Sequence, residues 1–168
     1  GVLAGFSANT MKENTLVQLC TLAASAIKEM AKDNKKNQDA ITDAGAIAPL
    51  VAMLMAPAAE MQANAAGALS NLARNHADNQ HAIARTGAIA PLCTLMKEGS
   101  DETKDESAAT IWALAVENGP NKDTIAKLGG VDPLLGLLVT GTSERSQECV
   151  AGALAALASK HQDNRQVI

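Results

Sequence analysis

Aromatic side chains are almost missing from this chain, which has one Phe, one Trp and no Tyr in 168 residues. A sandwich or barrel, whose strands favour aromatic and β-branched residues, is therefore not expected. The 47% of residues that are hydrophobic must instead build a core from Ala, Leu, Ile and Val, which suits closely approaching helices. Positive charge is short as well. Fourteen Lys and Arg against 18 Asp and Glu leave a net charge of −4 and a pI near 5.3. The basic field that nucleic-acid phosphates require is lacking, which argues against DNA or RNA as a partner. The three cysteines, Cys20, Cys93 and Cys149, lie singly in apolar patterns with no Cys-x-x-Cys. They read as small buried hydrophobes in a reducing compartment. No apolar run approaches the roughly 20 residues needed to cross a bilayer, and no signal peptide is visible. Gly1 is not followed by the Ser or Thr of a myristoylation signal, since Gly5 stands there. These absences point to a soluble intracellular chain, cytoplasmic or nuclear.

What the chain has is repetition. Asn37, Asn79, Asn121 and Asn164 open the segments Asn-Gln-Asp-Ala-Ile, Asn-Gln-His-Ala-Ile, Asn-Lys-Asp-Thr-Ile and Asn-Arg-Gln-Val-Ile, at spacings of 42, 42 and 43 residues. That period marks a stacked helical repeat, in which each unit buries its apolar face only against its neighbours. Leu16, Leu19, Cys20, Ala23, Ala26, Ile27, Met30 and Ala31 recur at three- and four-residue steps, one apolar helical face. Ala26, Ile27, Met30 and Ala31 reappear as Ala68, Leu69, Leu72 and Ala73, as Thr110, Ile111, Leu114 and Ala115, and as Ala153, Leu154, Leu157 and Ala158. Four copies of one long helix follow.

Two shorter helices separate the copies. Asn37, Asn79 and Asn121 are placed to act as N-caps, and Ile41, Ile83 and Ile125 then face inward. Gly45, Gly87 and Gly129 stand where a left-handed residue would end the short helix, and Pro49, Pro91 and Pro133 fit the first turn of the next. Residues 1–14 read as a helix stub followed by a loop. The single array divides into a partial unit at 1–36, units at 37–78, 79–120 and 121–163, and a truncated one at 164–168.

The succession of a short helix, a Gly-Ala-Ile-x-Pro-Leu helix and a long Ala-Ala-Gly-Ala-Leu-x-Asn-Leu-Ala helix resembles the armadillo repeat over about residues 16–168. Its flavour is that of vacuolar-type and plant armadillo proteins and of β-catenin-like repeats. The resemblance implies an all-α armadillo solenoid, a right-handed superhelix of three-helix repeats. Its third helices would line a concave groove that binds other proteins, often as extended peptides.

No chemistry of another kind competes with that reading. There is no Gly-rich loop followed by Lys, no His-Glu-x-x-His and no Gly-x-Ser-x-Gly, and the three histidines read as polar turn residues rather than metal ligands. His76 and His161 occupy equivalent turns and His81 lies beside an expected cap. Asp101, Glu102, Asp105 and Glu106 gather at the start of a long helix, where they complement its macrodipole. No catalytic residue, metal or cofactor is expected.

Importin-α-like members carry a Trp and an Asn four residues apart on each third helix, a ladder for basic peptides. Here the Asn row is Glu29, Asn71, Ala113 and Ala156, and the Trp row is Ser25, Gly67, Ala109 and Gly152, so only Asn71 matches. The flanking rows hold Leu22, Asn64, Glu106 and Cys149, and then Asp33, Asn75, Glu117 and Lys160. Glu29, Asp33, Glu106 and Glu117 make the expected groove acidic, which favours a basic extended segment. Asn71 is suited to bond a peptide backbone. Trp112 falls in a row otherwise filled by Lys28, Ser70 and Ala155, off the apolar face, where an exposed aromatic makes a binding hot spot. The expected function is a non-catalytic protein-interaction scaffold. The alternatives are a nuclear-localisation-signal adaptor and the substrate-recruiting region of a larger ubiquitin ligase. Without a clear polar cap at its ends, the array is expected to associate end to end or to belong to a longer one.

Overall fold

The computed structural model describes residues 2–140 and 143–159. Lys160, His161, Asn164 and the truncated unit at 164–168 lie outside the described residues. Among those described there are ten helices and no strand. A long helix α1 (Val2–Ala31) is followed by three triples. These are α2 (Lys35–Asp43), α3 (Ile47–Met53) and α4 (Ala59–Ala73); α5 (Ala77–Arg85), α6 (Ile89–Glu98) and α7 (Asp101–Ala115); and α8 (Gly119–Lys127), α9 (Val131–Thr140) and α10 (Glu144–Ala158). The long helices stack side by side in the order α1, α4, α7, α10. The copies therefore lie in a row rather than folding into one globule, and the all-α repeat architecture expected from the sequence is the one found.

The periodic apolar residues build the core as their spacing predicts. Leu69, Leu72, Ile111, Leu114, Ile83, Ile125 and Leu134 are completely buried. Small residues let the helices approach: on α4 every position from Ala65 to Ser70 is buried. Gly45, Gly87 and Gly129 sit at φ values of +80°, +87° and +71°, the left-handed conformation that ends each short helix. Pro49, Pro91 and Pro133 fall in the first turns of α3, α6 and α9.

Three local expectations are corrected. Residues 7–14 are not a loop, because α1 runs unbroken from Val2. The N-caps lie three residues before the expected asparagines. Asn34, His76 and Asn118 accept the backbone N–H of Asn37, Asn79 and Asn121. The carboxamides of those three asparagines point back and donate to the carbonyls of Met30, Leu72 and Leu114 at 2.7, 2.9 and 3.0 Å. Each thereby satisfies an orphan carbonyl in the last turn of a long helix, tying it to the short helix that follows. His76 is thus a buried cap rather than a turn residue. Its Nδ1 faces the N–H of Asn79 and its Nε2 lies 2.7 Å from Asp39 Oδ1. That bond, with Lys35 nearby, holds the Asp39 carboxyl below its usual range. His81, expected beside a cap, is exposed within α5.

The next residue along in each motif ties the first short helix to the long helix of its own unit. Gln38 donates to the Asn71 carbonyl at 2.7 Å, Gln80 to that of Ala113 at 2.9 Å, and Lys122 to that of Ser159 at 2.6 Å. One side chain per unit therefore caps the end of that unit's own long helix, and with the asparagine bond to the preceding long helix it links successive long helices through the short helix between them.

At both ends of the described stack, apolar residues in stacking registers are exposed. Met30 is 54% exposed where its interior equivalents Leu72 and Leu114 are fully buried. Leu19 and Leu16 are also exposed on α1, and at the other end Leu138 is 46% exposed where Leu54 and Met96 are buried. No described helix is long and apolar enough to cross a membrane.

Candidate functional site

The long helices present the rows singled out in the sequence on one face. One part of that face is paved by an ion triad. Glu106 on α7 is 1% exposed, and its Oε1 is held at 2.7 Å by both Lys28 Nζ from α1 and Arg145 Nη2 from α10. Burial disfavours the Arg145 charge, but the Glu106 carboxylate more than offsets this and holds the guanidinium above its usual value. Lys28 reaches Glu106 only by passing over α4 at Gly67. A Cβ there would lie 2.7 Å from Lys28 Cε and 2.9 Å from Glu106 Oε2, so the absence of a side chain at 67 opens the path.

The same geometry recurs two array steps further on. Trp112, in the row of Lys28, lies over Gly152 of the next unit, where a Cβ would come within 2.5 Å of the indole Cε2. Trp112 is therefore neither free-standing nor buried: one side packs on Gly152 and the core, and the rest is open. The sequence carried a signal for this. Gly67 follows Lys28 by 39 residues and Gly152 follows Trp112 by 40, each glycine standing in the Trp row of the next unit beneath a large side chain.

Three cavities border Trp112. One of about 270 Å³ is lined by Arg74, Asn75, Ala109, Trp112, Ala113 and Val116. A second of about 500 Å³ spans the triad and includes Glu29, Lys32, Asp33, Ser70, Asn71 and Arg74. A third of about 550 Å³ lies between Trp112 and the α10 residues Gly152, Ala155 and Ala156, with Glu117 and Lys122 at its rim. Asp33, Asn75 and Glu117 occupy the turn after each long helix at φ values of +50°, +55° and +54°. This left-handed geometry is tolerated by Asp and Asn and is costlier for Glu.

Of the residues expected to bind a partner, Trp112, Asn75, Glu29, Asp33 and Glu117 thus border these cavities. Asn71 does so too, but its carboxamide donates to the Lys28 carbonyl at 2.8 Å, a bond between units rather than an open donor. The one residue that matches the ladder of a nuclear-import adaptor thus has an N–H committed to an internal contact. Glu106 is not an open acid, being neutralised by two cations, and Asn64 is half-buried on α4. The second cavity as a whole is lined by Lys28, Lys32, Arg74 and Arg145 against Glu29, Asp33, Glu106 and Glu148, so its charge is balanced rather than acidic. Burial pushes the Cys93 thiol up to about 11 and raises that of Cys149, which leaves neither a ready thiolate. Among the described residues no group of three His, Cys, Asp or Glu could hold a metal.

Stacked helix triples with their long helices on one cavity-lined face define an α-solenoid of helical repeats. The profile of the Armadillo/beta-catenin-like repeat matches residues 34–74 and 76–116, and the chain belongs to the armadillo-repeat family. Solved structures agree. An engineered protein is 31% identical, with a TM-score of 0.82 over 88% of this chain and 60% of its own. A designed armadillo repeat protein in complex with the peptide (KR)4 is 27% identical, with a TM-score of 0.81 over 90% of this chain and 66% of its own. The armadillo repeats only protein from Plasmodium falciparum is 24% identical, with a TM-score of 0.71 over 82% of this chain and 60% of its own, and shares the fold. This chain therefore spans less than two thirds of the length of each of these relatives. No curated protein matches the sequence.

Proposed function

We propose that this chain is a non-catalytic protein-binding scaffold inside the cell, and that it takes an extended segment of a partner across α4, α7 and α10. The observation that carries this reading is Trp112. An indole held in place by Gly152, with a cavity on either side along the long helices, is a rigid amphipathic contact of the kind that dominates interfaces. The similar designed protein that holds (KR)4 supports a peptide as ligand. Basic side chains of the segment would face Glu29, Asp33 and Glu117, which are exposed. Trp112→Ala is expected to weaken partner binding by more than about 1 kcal/mol in calorimetric titration. A denaturation curve of the same variant separates lost packing on Gly152 from lost contact. Unchanged affinity in a folded variant would overturn the reading.

The exposed apolar end favours a second, compatible surface. Leu16, Leu19 and Met30 occupy a stacking face of α1 and are exposed, which supports end-to-end association with another armadillo unit. Sedimentation over a hundredfold range of concentration, about the span that reveals a micromolar association, is expected to show mass increase in the native chain. Met30→Glu should abolish it, and a monomer throughout would reject it.

A further inference from the structure

We propose that the cavity between Arg74 and Trp112 recognises a carboxylate set beside an apolar side chain of the bound segment. This rests on the reading of the long-helix face as the partner surface, and it adds an acidic element to a segment whose other contacts are basic.

Three observations meet at this place. Arg74, the C-cap of α4, is exposed, and no carboxylate pairs with it among the described residues. It is the sole charged residue lining the 270 Å³ cavity, whose other walls are Asn75, Trp112, Val116 and two alanines. Ser70, four residues before Arg74, borders the adjoining cavity together with Arg74 and Trp112. Its hydroxyl is buried, the residue being 2% exposed, and it has no hydrogen-bond partner among the described residues.

A buried hydroxyl without a partner is uncommon, because leaving one unsatisfied is costly. A carboxylate placed where the two cavities adjoin, at Arg74 and Trp112 that line both, would accept from the N–H fork of Arg74 and from the Ser70 O–H, and charge-assisted bonds to a guanidinium are among the stronger ones. The apolar walls receive the neighbouring side chain against the indole. The other cations nearby are differently placed: Lys28 and Arg145 are bound to Glu106. Arg74 lines both cavities: Ser70, Glu29, Asp33 and Glu148 border the second, whereas no carboxylate lines the 270 Å³ one, so an acid that approaches Arg74 from that side meets no competing carboxylate on the wall. The carboxylate could belong to an Asp or Glu side chain or to a chain terminus, and the chemistry is the same.

Trp112 is the sole Trp and there is no Tyr, so its emission reports directly on this cavity. The full chain is titrated with acetylated, amidated alanine-rich peptides containing Leu-Asp, Leu-Asn or Leu-Lys, and with a peptide ending in Leu as free acid or amide. The Asp peptide or the free-acid peptide is expected to bind at least about tenfold tighter than its neutral counterpart, the size of a charge-assisted bond. Arg74→Glu should abolish that preference, Arg74→Lys keep part of it, and Ser70→Ala lower it a few-fold. Which acid binds tells side chain from terminus. Equal binding of neutral and acidic peptides, or a preference that survives Arg74→Glu, overturns the carboxylate site while leaving the partner surface standing. No change in Trp112 emission with any peptide at millimolar concentration overturns both.

Discussion

Leu114→Ala is expected to lower the unfolding free energy by about 3–4 kcal/mol, read as a shift of the urea midpoint at unchanged slope. Leu114 is completely buried on α7, which packs against α4 on one side and α10 on the other. The removed atoms lose their transfer free energy, and the void adds to the loss because helices held from both sides cannot close in on it. Leu72 on α4 is equally buried and should respond alike. The array supplies its own control. Met30 occupies the same register on α1 but is 54% exposed, so Met30→Ala should cost less than about 1 kcal/mol. A similar loss at Met30 and Leu114 would mean that the end face is covered in solution, and a loss below about 1 kcal/mol at Leu114 would contradict the stacked core.

Glu106→Ala is expected to cost about 2–3 kcal/mol. Removing one member of a buried ion pair costs roughly 3–5 kcal/mol, because the partner's charge is left without compensation. The lower figure applies here because Arg145 is 58% exposed and water can solvate it, whereas the Lys28 side chain is only 19% exposed and lies across α4. In a double-mutant cycle, Lys28→Ala and Glu106→Ala should show a coupling above about 1 kcal/mol, since the two side chains are in contact although 78 residues apart in the chain. Additive losses would show that the triad does not connect the first unit to the third. Because α2–α4 lies between them, this contact departs from the neighbour-only coupling usual in repeat arrays.

Much of this was legible in the sequence where the determinant is local. A left-handed glycine, a proline in a first turn and a three-and-four apolar spacing act through their own backbone and nearest turns, and all three predicted the structure. The cap position was misread because Asn34 and Asn37, or Asn118 and Asn121, are both good cap residues three apart. The choice depends on where the preceding long helix stops, and on a carbonyl such as that of Leu114 waiting for the second asparagine. Residues 7–14 look polar and loop-like, yet they continue α1.

By itself, the sequence determined the repeat, its helices, its aliphatic core and the rows that share a face, because a period of 42 residues imposes one local solution again and again. Only the tertiary structure decided what those rows do. It drew Glu106 into a triad, turned the Asn71 carboxamide onto Lys28, laid Trp112 over Gly152 and left the Ser70 hydroxyl, beside Arg74 at a cavity, with no partner among the described residues. Each of those outcomes depends on side chains from different units meeting across the stack, and the distance between two helices is set by every residue packed between them.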